Sequence, residues 1–264
     1  MNDNDGLMLL KNVGVLVTRP LPQGNNIFRL IQSEGGTPFS FPVLEIQPPD
    51  DFIAFEHCLK DLKEYDIVLL VSLSAINSFA NGLRQLGLTL TESVKVGVMG
   101  RRSEDQCRQY DIPVSYIPTG SMDSEGLLRT LEGVDLFRKK VLIVRGQTGR
   151  ELLKNELSAR DAVVEYVDAY KRIVTSRPTT VLIDQWQSGG IDRVLVTSNS
   201  VVDGMFELLG PNALLFQKTP IITISHRISA YCSHKGVVAP IYVSETPADE
   251  DVLRCLITSQ SESG

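Results

Sequence analysis

The stretch that decides the fold is KKVLIVR, Lys139–Arg145, because it repeats the N-terminal stretch VGVLVTR, Val13–Arg19, at a spacing of 126 residues. The same spacing separates YDIVLLVS, which ends at Ser72, from IDRVLVTS, which ends at Ser198. A third pair, KVGVMG and IITIS, recurs at an offset of 125 residues. Recurrence at one period is typical of internal duplication. The sequence therefore predicts two copies of one unit.

Each copy alternates short apolar runs with helical patterns. The runs VGVLV, DIVLLV, VKVGVM, KVLIV, RVLVT and PIITI show little polar alternation, which is typical of strands buried on both faces of a parallel sheet. Helices are predicted at Asn25–Ser33, Ala75–Leu86, Glu104–Tyr110, Ser124–Leu131, Glu151–Leu157, Val201–Leu209, Arg227–His234 and Asp249–Leu256. This order predicts the α/β class, with two similar lobes that are each a parallel sheet flanked by helices.

Two extended segments interrupt the alternation at matching places. Prolines prevent a helix across TPFSFPVLEIQPP, Thr37–Pro49, and its counterpart Val163–Thr175 is rich in β-branched and aromatic residues. We expect the segments to pair as a two-stranded β-ladder that joins the lobes, with a cleft between them. The predicted boundaries are residues 1–37 plus 176–264 for lobe one, 50–162 for lobe two, and 38–49 with 163–175 for the bridging segments.

Composition excludes several function classes. With 26 Lys and Arg against 32 Asp and Glu, the net charge of −6 argues against nucleic acid or an anionic membrane as the main partner. The four cysteines and three histidines form no metal-ligand spacing, so we expect reduced thiols and no metal. The N-terminus lacks the basic residues of a secretory signal, which predicts a cytoplasmic protein. No G-x-G-x-x-G is present, which disfavours a nucleotide-dependent oxidoreductase.

The turns that follow the predicted strands are rich in small polar residues. In parallel α/β sheets these turns lie at one edge, where helix N-termini offer free N–H groups to anions. They are Thr18-Arg19-Pro20, Ser72-Leu73-Ser74, Gly100-Arg101-Arg102-Ser103, Arg145-Gly146-Gln147, Thr197-Ser198-Asn199-Ser200 and Ser225-His226-Arg227. The pattern favours a ligand with several negative groups. Helix capping alone also accounts for Ser72, Ser74 and Ser198, and surface charge for Arg19 and Arg145.

Several motifs in order give the chain a family resemblance. They are TRP at Thr18–Pro20, FPVLEIQP from Phe41, DSEGLL at Asp123–Leu128, VLIVRGQTGRELL from Val141, and AYKR around Tyr170. From about residue 13 to 257 the sequence resembles the uroporphyrinogen-III synthase family. The resemblance implies two α/β lobes joined by a two-stranded ladder, with the active site in the cleft.

The resemblance also implies a reaction. Hydroxymethylbilane, a linear tetrapyrrole carrying many carboxylates, is converted into uroporphyrinogen III with loss of water and inversion of the terminal ring. The implied enzyme is a cofactor-independent lyase that we expect to act as a monomer. Tyr170 matches the recurrent tyrosine of the family and is expected to face the cleft and donate a proton to the departing hydroxyl. A ring packed only for stability is the alternative, and Tyr166 serves as an internal control.

Substrate carboxylates are expected to bind mostly through amides beside small polar residues. The candidate binding residues are Arg19, Ser72, Ser74, Arg101, Ser103, Arg145, Lys171, Thr197, Ser198 and Ser229. The sequence departs from the family's Gly-x-x-Thr-Ala-like turns, because Ser103 stands where Thr is usual and Ser225 where Gly is usual. A non-catalytic two-lobed module that binds an anionic metabolite therefore stays open as an alternative.

Overall fold

The computed structural model describes residues 8–20, 24–149 and 151–261. The chain forms two compact units, one made of residues within 1–45 and 173–264, the other of residues 46–172. Both points of division fall inside the extended segments that the sequence predicts. The prediction of a cytoplasmic protein is based on the N-terminal stretch, and most of that stretch lies outside the described residues.

The strands follow the predicted apolar runs. In chain order they are β1 (Gly14–Val17), β2 (Thr37–Ser40), β3 (Leu44–Gln47), β4 (Ile67–Leu70), β5 (Lys95–Val98), β6 (Lys140–Gly146), β7 (Val163–Val174), β8 (Arg193–Val196), β9 (Ile221–Thr223) and β10 (Ile241–Val243). All six runs chosen from the sequence are strands, whereas β10 was not predicted.

The helices also match the sequence pattern, with additions. They are α1 (Asn25–Ser33), α2 (Phe52–Lys60), α3 (Leu73–Leu86), α4 (Arg101–Arg108), α5 (Ser124–Thr130), α6 (Leu152–Ser158), α7 (Thr180–Gln187), α8 (Asn199–Leu209), α9 (Ala213–Lys218), α10 (His226–His234) and α11 (Asp249–Ser261). The sequence analysis missed α2, α7 and α9. A signal for α2 was present, because Asp51 caps its N-terminus by accepting the Ala54 N–H at 2.9 Å.

Each unit is built around one sheet. The first has the strand order β10-β9-β8-β1-β2, and each neighbouring pair is parallel. The second has the order β3-β7-β6-β4-β5, with parallel pairing of β7 to β6, β6 to β4, and β4 to β5. The predicted α/β class with two parallel-dominated sheets is confirmed.

The extended segments reach further into the sheets than the sequence analysis expected. Thr37–Ser40 is an edge strand of the first sheet, paired with β1. An edge position tolerates Pro38, which has no N–H to donate to a further strand. Val163–Tyr170 pairs with β6, and β3 lies beside β7 at the edge of the second sheet. Residues 38–49 and 163–175 therefore supply sheet strands in addition to the predicted β3–β7 pairing.

Both sheets bury both faces. In the first, Leu16 and Val194 pack into one apolar cluster and Val15 and Leu195 into another on the opposite face. The second sheet alternates in the same way along β4 and β6. Successive strand side chains point to opposite faces, so continuous apolar runs require a helix layer on each side. This explains why the runs lack polar alternation.

The remaining global predictions concern membranes, thiols and metals. Among the described residues, no helix has the length and apolar character needed to cross a membrane. Cys107 and Cys232 are fully buried free thiols, and burial raises the pKa of Cys107 to about 12 and that of Cys232 to about 11. Cys58 and Cys255 are only partly buried. Within the described ranges, no group of three or more His, Cys, Asp or Glu is arranged to hold a metal ion.

Candidate functional site

The serines that follow three of the strands cap the next helix. Ser72 Oγ accepts the Ala75 N–H at 3.1 Å at the start of α3. Ser198 does the same for α8 at 3.3 Å, and Ser225 for α10 at 3.4 Å. Ser72 and Ser198 therefore act as helix caps, and their part in binding a ligand stays a prediction. A side-chain cap satisfies one of the four free N–H groups of a helix start, so others stay available for an anion.

Tyr170 lies on β7 directly beside Gly146 of β6. Its side chain is only 5% exposed and belongs to the apolar core of the second unit. The ring fills the space that the missing side chain of Gly146 leaves, because a Cβ at that position would lie 2.7 Å from the ring Cζ. The predicted catalytic residue is therefore a packed aromatic whose hydroxyl alone is polar.

The hydroxyl of Tyr170 contacts two polar groups of the same unit. Its Oη lies 3.1 Å from Ser72 Oγ. Arg172 Nη2 donates to the same oxygen at 3.2 Å. A guanidinium can only donate, so one lone pair of Oη is committed to Arg172. The arrangement brings together two residues predicted from the sequence, Ser72 and Tyr170, and adds a cation that was not among the candidates.

This trio can hold and release a proton. Ser72 Oγ accepts the Ala75 N–H. One further proton lies between Ser72 Oγ and Tyr170 Oη, and either hydroxyl can donate it. When Ser72 gives it, the phenol proton is free to move to another acceptor. When Tyr170 gives it, the serine proton is free instead. In both cases a proton leaving the trio places negative charge on oxygens near Arg172.

Three predicted cations are already paired with carboxylates inside their own units. Arg19 forms an ion pair with Asp249, at the start of α11. Lys171 Nζ lies 2.6 Å from Asp50 Oδ1. The hydrogen bonds of Lys171 and of Gln147 hold the pKa of the Asp50 carboxyl below its usual value. Neither cation is free for a ligand carboxylate without first leaving its partner.

Arg145 is the third paired cation. Its Nε lies 3.3 Å from Asp168, and its Nη1 lies 3.0 Å from Glu151. Its guanidinium also lies over the Tyr166 ring, with Cζ 3.6 Å from the ring centroid. The alternative that Arg145 is a plain surface charge is wrong, because it joins β6 to β7 through Asp168 and the Tyr166 ring and also pairs with Glu151, the N-cap residue of α6.

Arg101 differs from these three. It is exposed at the first position of α4, and the part of the chain that the structure describes places no carboxylate within ion-pair distance of it. The turn before it depends on Gly100, whose φ of +155° favours glycine and whose added Cβ would lie 2.6 Å from Met122 Sδ. The start of α4 therefore combines an unpaired guanidinium with a helix end that has no side-chain cap.

Three of the four other predicted binding residues lie at or next to a helix start. Ser74 in α3 and Ser103 in α4 are each 8% exposed, and Thr197 is half-buried directly before the Ser198 cap. Ser229 is half-buried in the second turn of α10 and lines a cavity of about 520 Å³ between α10, β10 and α11. Ser229 therefore differs from the others, since it lies one turn into its helix; His226, the first residue of α10, lines the same cavity.

Sequence reasoning missed several residues of these turns. Arg172 stands in the AYKR motif, and its spacing of two from Tyr170 on a strand places both side chains on one face. Gly146 was named only as part of the turn Arg145-Gly146-Gln147 and of the motif from Val141, and its contact with the Tyr170 ring was not predicted. In the first unit, the buried atoms Asn199 Oδ1 and Thr223 Oγ1 have no hydrogen-bond partner among the described residues. No sequence pattern singles out either atom.

The fold and the polar turns define a class of protein. It is a duplicated α/β protein with helix starts at the carboxyl edges of two parallel sheets and a phenol held by a serine and an arginine in the second unit. The chain belongs to the uroporphyrinogen-III synthase family, since a family model described as "Uroporphyrinogen-III synthase HemD" matches residues 26–254. Members of this family are enzymes of tetrapyrrole synthesis, and the chain is one of them.

Individual relatives agree with the family. The chain is 26% identical to the uroporphyrinogen-III synthase of Escherichia coli over 197 residues, covering 75% of this chain and 80% of that protein. It is 27% identical to the Salmonella typhimurium enzyme over 198 residues, covering 74% and 80%. Among solved structures, a mutant uroporphyrinogen III synthase of Thermus thermophilus aligns with a TM-score of 0.60 at 18% identity, covering 95% of this chain and 99% of that one.

A second solved structure supports the same fold. The uroporphyrinogen-III synthetase of Helicobacter pylori aligns with a TM-score of 0.59 at 12% identity, covering 94% of this chain and 99% of that one. Since the sequence identities to both structures are low, these likenesses support the fold alone. The family assignment rests on the sequence match.

Proposed function

We propose that the chain is a uroporphyrinogen-III synthase that cyclises hydroxymethylbilane with loss of water and inversion of the terminal pyrrole ring. The observation that carries the proposal is the Tyr170 hydroxyl held by Ser72 and Arg172 in a member of this family. The enzyme is a lyase that uses no cofactor and acts as a cytoplasmic monomer. Its partner is one small polycarboxylate substrate, and neither nucleic acid nor membrane takes part.

The reaction begins with loss of the terminal hydroxyl. A pyrrole nitrogen pushes electrons toward the hydroxymethyl carbon, the C–O bond breaks, and the Tyr170 phenol gives its proton so that water leaves. A general acid of this kind contributes about 10² to 10⁴-fold in rate. The substituted carbon of the terminal ring then attacks the electrophile to give a spiro intermediate. Its rearrangement and closure release a ring proton, which returns Tyr170 to the neutral phenol.

Positioning is the protein's main contribution, because unassisted closure gives the symmetric type I isomer. The protein holds the linear tetrapyrrole so that the substituted carbon meets the electrophile. This positioning supplies on the order of several kcal/mol of barrier reduction. We propose that helix-start amides beside Ser72, Ser74, Ser103, Thr197 and Ser198 bind the substrate carboxylates. Backbone amides carry no net charge, so a protein with a net charge of −6 can still bind such a ligand.

Arg101 is the cation that we expect to bind a substrate carboxylate directly. Arg101→Met should raise KM about tenfold with kcat little changed, since a charge-assisted contact outside the reacting centre contributes to binding. Arg84→Met is the matched control, because Arg84 is an exposed helix arginine of the same unit and should leave KM unchanged. Steady-state kinetics at several substrate concentrations give both constants. An unchanged KM for Arg101→Met contradicts the assignment.

The paired cations and Ser229 have a lesser place in the proposal. The three paired cations hold their turns through ion pairs. Arg19 pairs with Asp249, and Lys171 pairs with Asp50. Arg145 pairs with both Asp168 and Glu151. We propose that they act on the substrate mainly by shaping these turns. Ser229 binds only a carboxylate that reaches the second turn of α10.

The decisive experiment supplies freshly prepared hydroxymethylbilane and separates the products by chromatography after oxidation to the porphyrins. The proposal predicts the type III isomer as the main product, with a rate proportional to enzyme concentration. A non-catalytic binding module would bind the substrate and leave only the type I isomer of spontaneous closure. Type I as the sole product would refute the enzymatic function.

A further inference from the structure

Arg172 is the one residue of the AYKR motif that contacts the catalytic candidate without an assigned role. It is exposed at the end of β7, and its Cζ lies 5.5 Å from the centroid of the Tyr170 ring while Nη2 donates to Oη at 3.2 Å. Among the described residues no carboxylate forms an ion pair with it, in contrast to Arg145 on the neighbouring strand. In the part of the chain that the structure describes, its guanidinium therefore contacts the phenol without being neutralised by a carboxylate.

The position of this charge matters when the proton leaves. If Tyr170 gives its proton directly, the phenol oxygen becomes negative beside Arg172. If Ser72 gives its proton and receives that of Tyr170, the negative charge still ends on Tyr170 Oη. Charge-assisted hydrogen bonds to an oxyanion are shorter and about twice as strong as neutral ones. The contact therefore gains strength as the C–O bond of the substrate breaks, which is the condition for lowering a barrier.

We propose that Arg172 is a positioning residue: it fixes the Tyr170 hydroxyl through one lone pair and holds the phenolate charge left after the proton has moved to the departing hydroxyl. The inference rests on the proposed function, because it needs Tyr170 to act as the acid. The proton goes from Tyr170 to the leaving oxygen, the product is water, and the ring proton released at closure restores the phenol. Arg172 keeps its own protons throughout.

A double-mutant cycle with Tyr170→Phe tests this role. Arg172→Met should lower kcat for type III formation about tenfold with KM little changed, as expected for one charged hydrogen bond on an exposed side chain. In the Tyr170→Phe background the same change should have no further effect, because the oxygen through which Arg172 acts is absent. Arg172→Lys should restore much of the rate, since it keeps the positive charge and can still donate a hydrogen bond.

The control uses a second arginine with similar geometry. Arg84 lies over the Tyr110 ring at 5.9 Å, but the Tyr110 hydroxyl donates to Asn77 and receives nothing from the guanidinium. Arg84→Met should therefore leave kcat unchanged. Counting only the type III isomer keeps the slow variants measurable, because spontaneous closure gives type I. Thermal unfolding of each variant confirms that the exposed substitutions leave the fold intact.

Each outcome decides between the claims. A tenfold loss in Arg172→Met that persists in the Tyr170→Phe background, or that appears in KM, overturns the inference and makes Arg172 a direct ligand of a substrate carboxylate. An unchanged kcat in Arg172→Met also overturns it. If the unsubstituted enzyme makes no type III isomer, the proposed function itself fails. Suppose that the unsubstituted enzyme forms the type III isomer and that Arg172→Met has the same effect with and without Tyr170→Phe. The proposed function then stands, and only the role of Arg172 is removed.

Discussion

Tyr170→Phe should lower the rate of type III formation by about 10² to 10⁴-fold, the range expected when a general acid is removed. The change deletes one oxygen and leaves the ring packed against Gly146, so a loss of rate is assigned to the missing hydroxyl. Stability should fall by only about 1 kcal/mol, the net contribution of a typical hydrogen bond. Rates of type III formation and thermal unfolding midpoints measured on the same preparations separate the two effects.

Tyr166→Phe is the matched control on the same strand. The Tyr166 ring is covered by the Arg145 guanidinium, and burial raises the pKa of its phenol, which makes it a weaker proton donor. Its hydroxyl accepts the Lys154 N–H at a long 3.4 Å. We expect Tyr166→Phe to retain nearly full turnover. Full turnover in Tyr170→Phe together with a large loss in Tyr166→Phe would show that the acid was assigned to the wrong tyrosine.

Much of the fold is predictable from local pattern. Apolar runs such as DIVLLV identify strands because a doubly covered sheet tolerates no polar face, and the prediction for α1 matches its observed bounds. Where the pattern is weak, prediction fails. Strand β10 has only three residues, Ile241–Val243, and none of them is fully buried. The second unit has at the equivalent place an isolated bridge between Gly97 and Tyr116. Tyr116 lies 125 residues before Ile241, which is the offset of the third repeated pair, so the repeat held a signal for this place that the sequence analysis did not use.

The site is less predictable than the fold, because side-chain partners are long-range. The turn serines could be placed at helix starts from strand–helix order, and three of them cap as expected of Ser at such positions. The pairing of Arg19 with Asp249 joins residues 230 positions apart. The contact of Ser72 with Tyr170 spans 98 positions. Such partners depend on strand order and register. The sequence pattern limits the possible strand orders and registers but does not select one of them.

Gly146→Ala should reduce both stability and activity, since the Tyr170 ring packs directly against the backbone of this glycine. A Cβ at residue 146 would lie 2.7 Å from Cζ and 3.0 Å from Oη of Tyr170, closer than unstrained atoms approach. The ring is buried, so it has little room to withdraw, and overpacking of this kind costs about 1–3 kcal/mol. We expect the unfolding midpoint to fall by roughly 5 °C. Displacement of Oη from Ser72 and Arg172 should lower kcat at least about tenfold.

Gly149→Ala is the matched control in the same turn, because an added Cβ there meets Arg145 Cδ at 3.4 Å, an ordinary contact. It should change neither the midpoint nor kcat. The mechanism of the Gly146 effect can be checked with Tyr170→Leu, which removes the ring atoms that a Cβ would strike. In that background Gly146→Ala should cost much less stability than in the unsubstituted protein. Equal losses in both backgrounds would mean that the new methyl group strains the strand itself and that Gly146 does not serve to position the phenol.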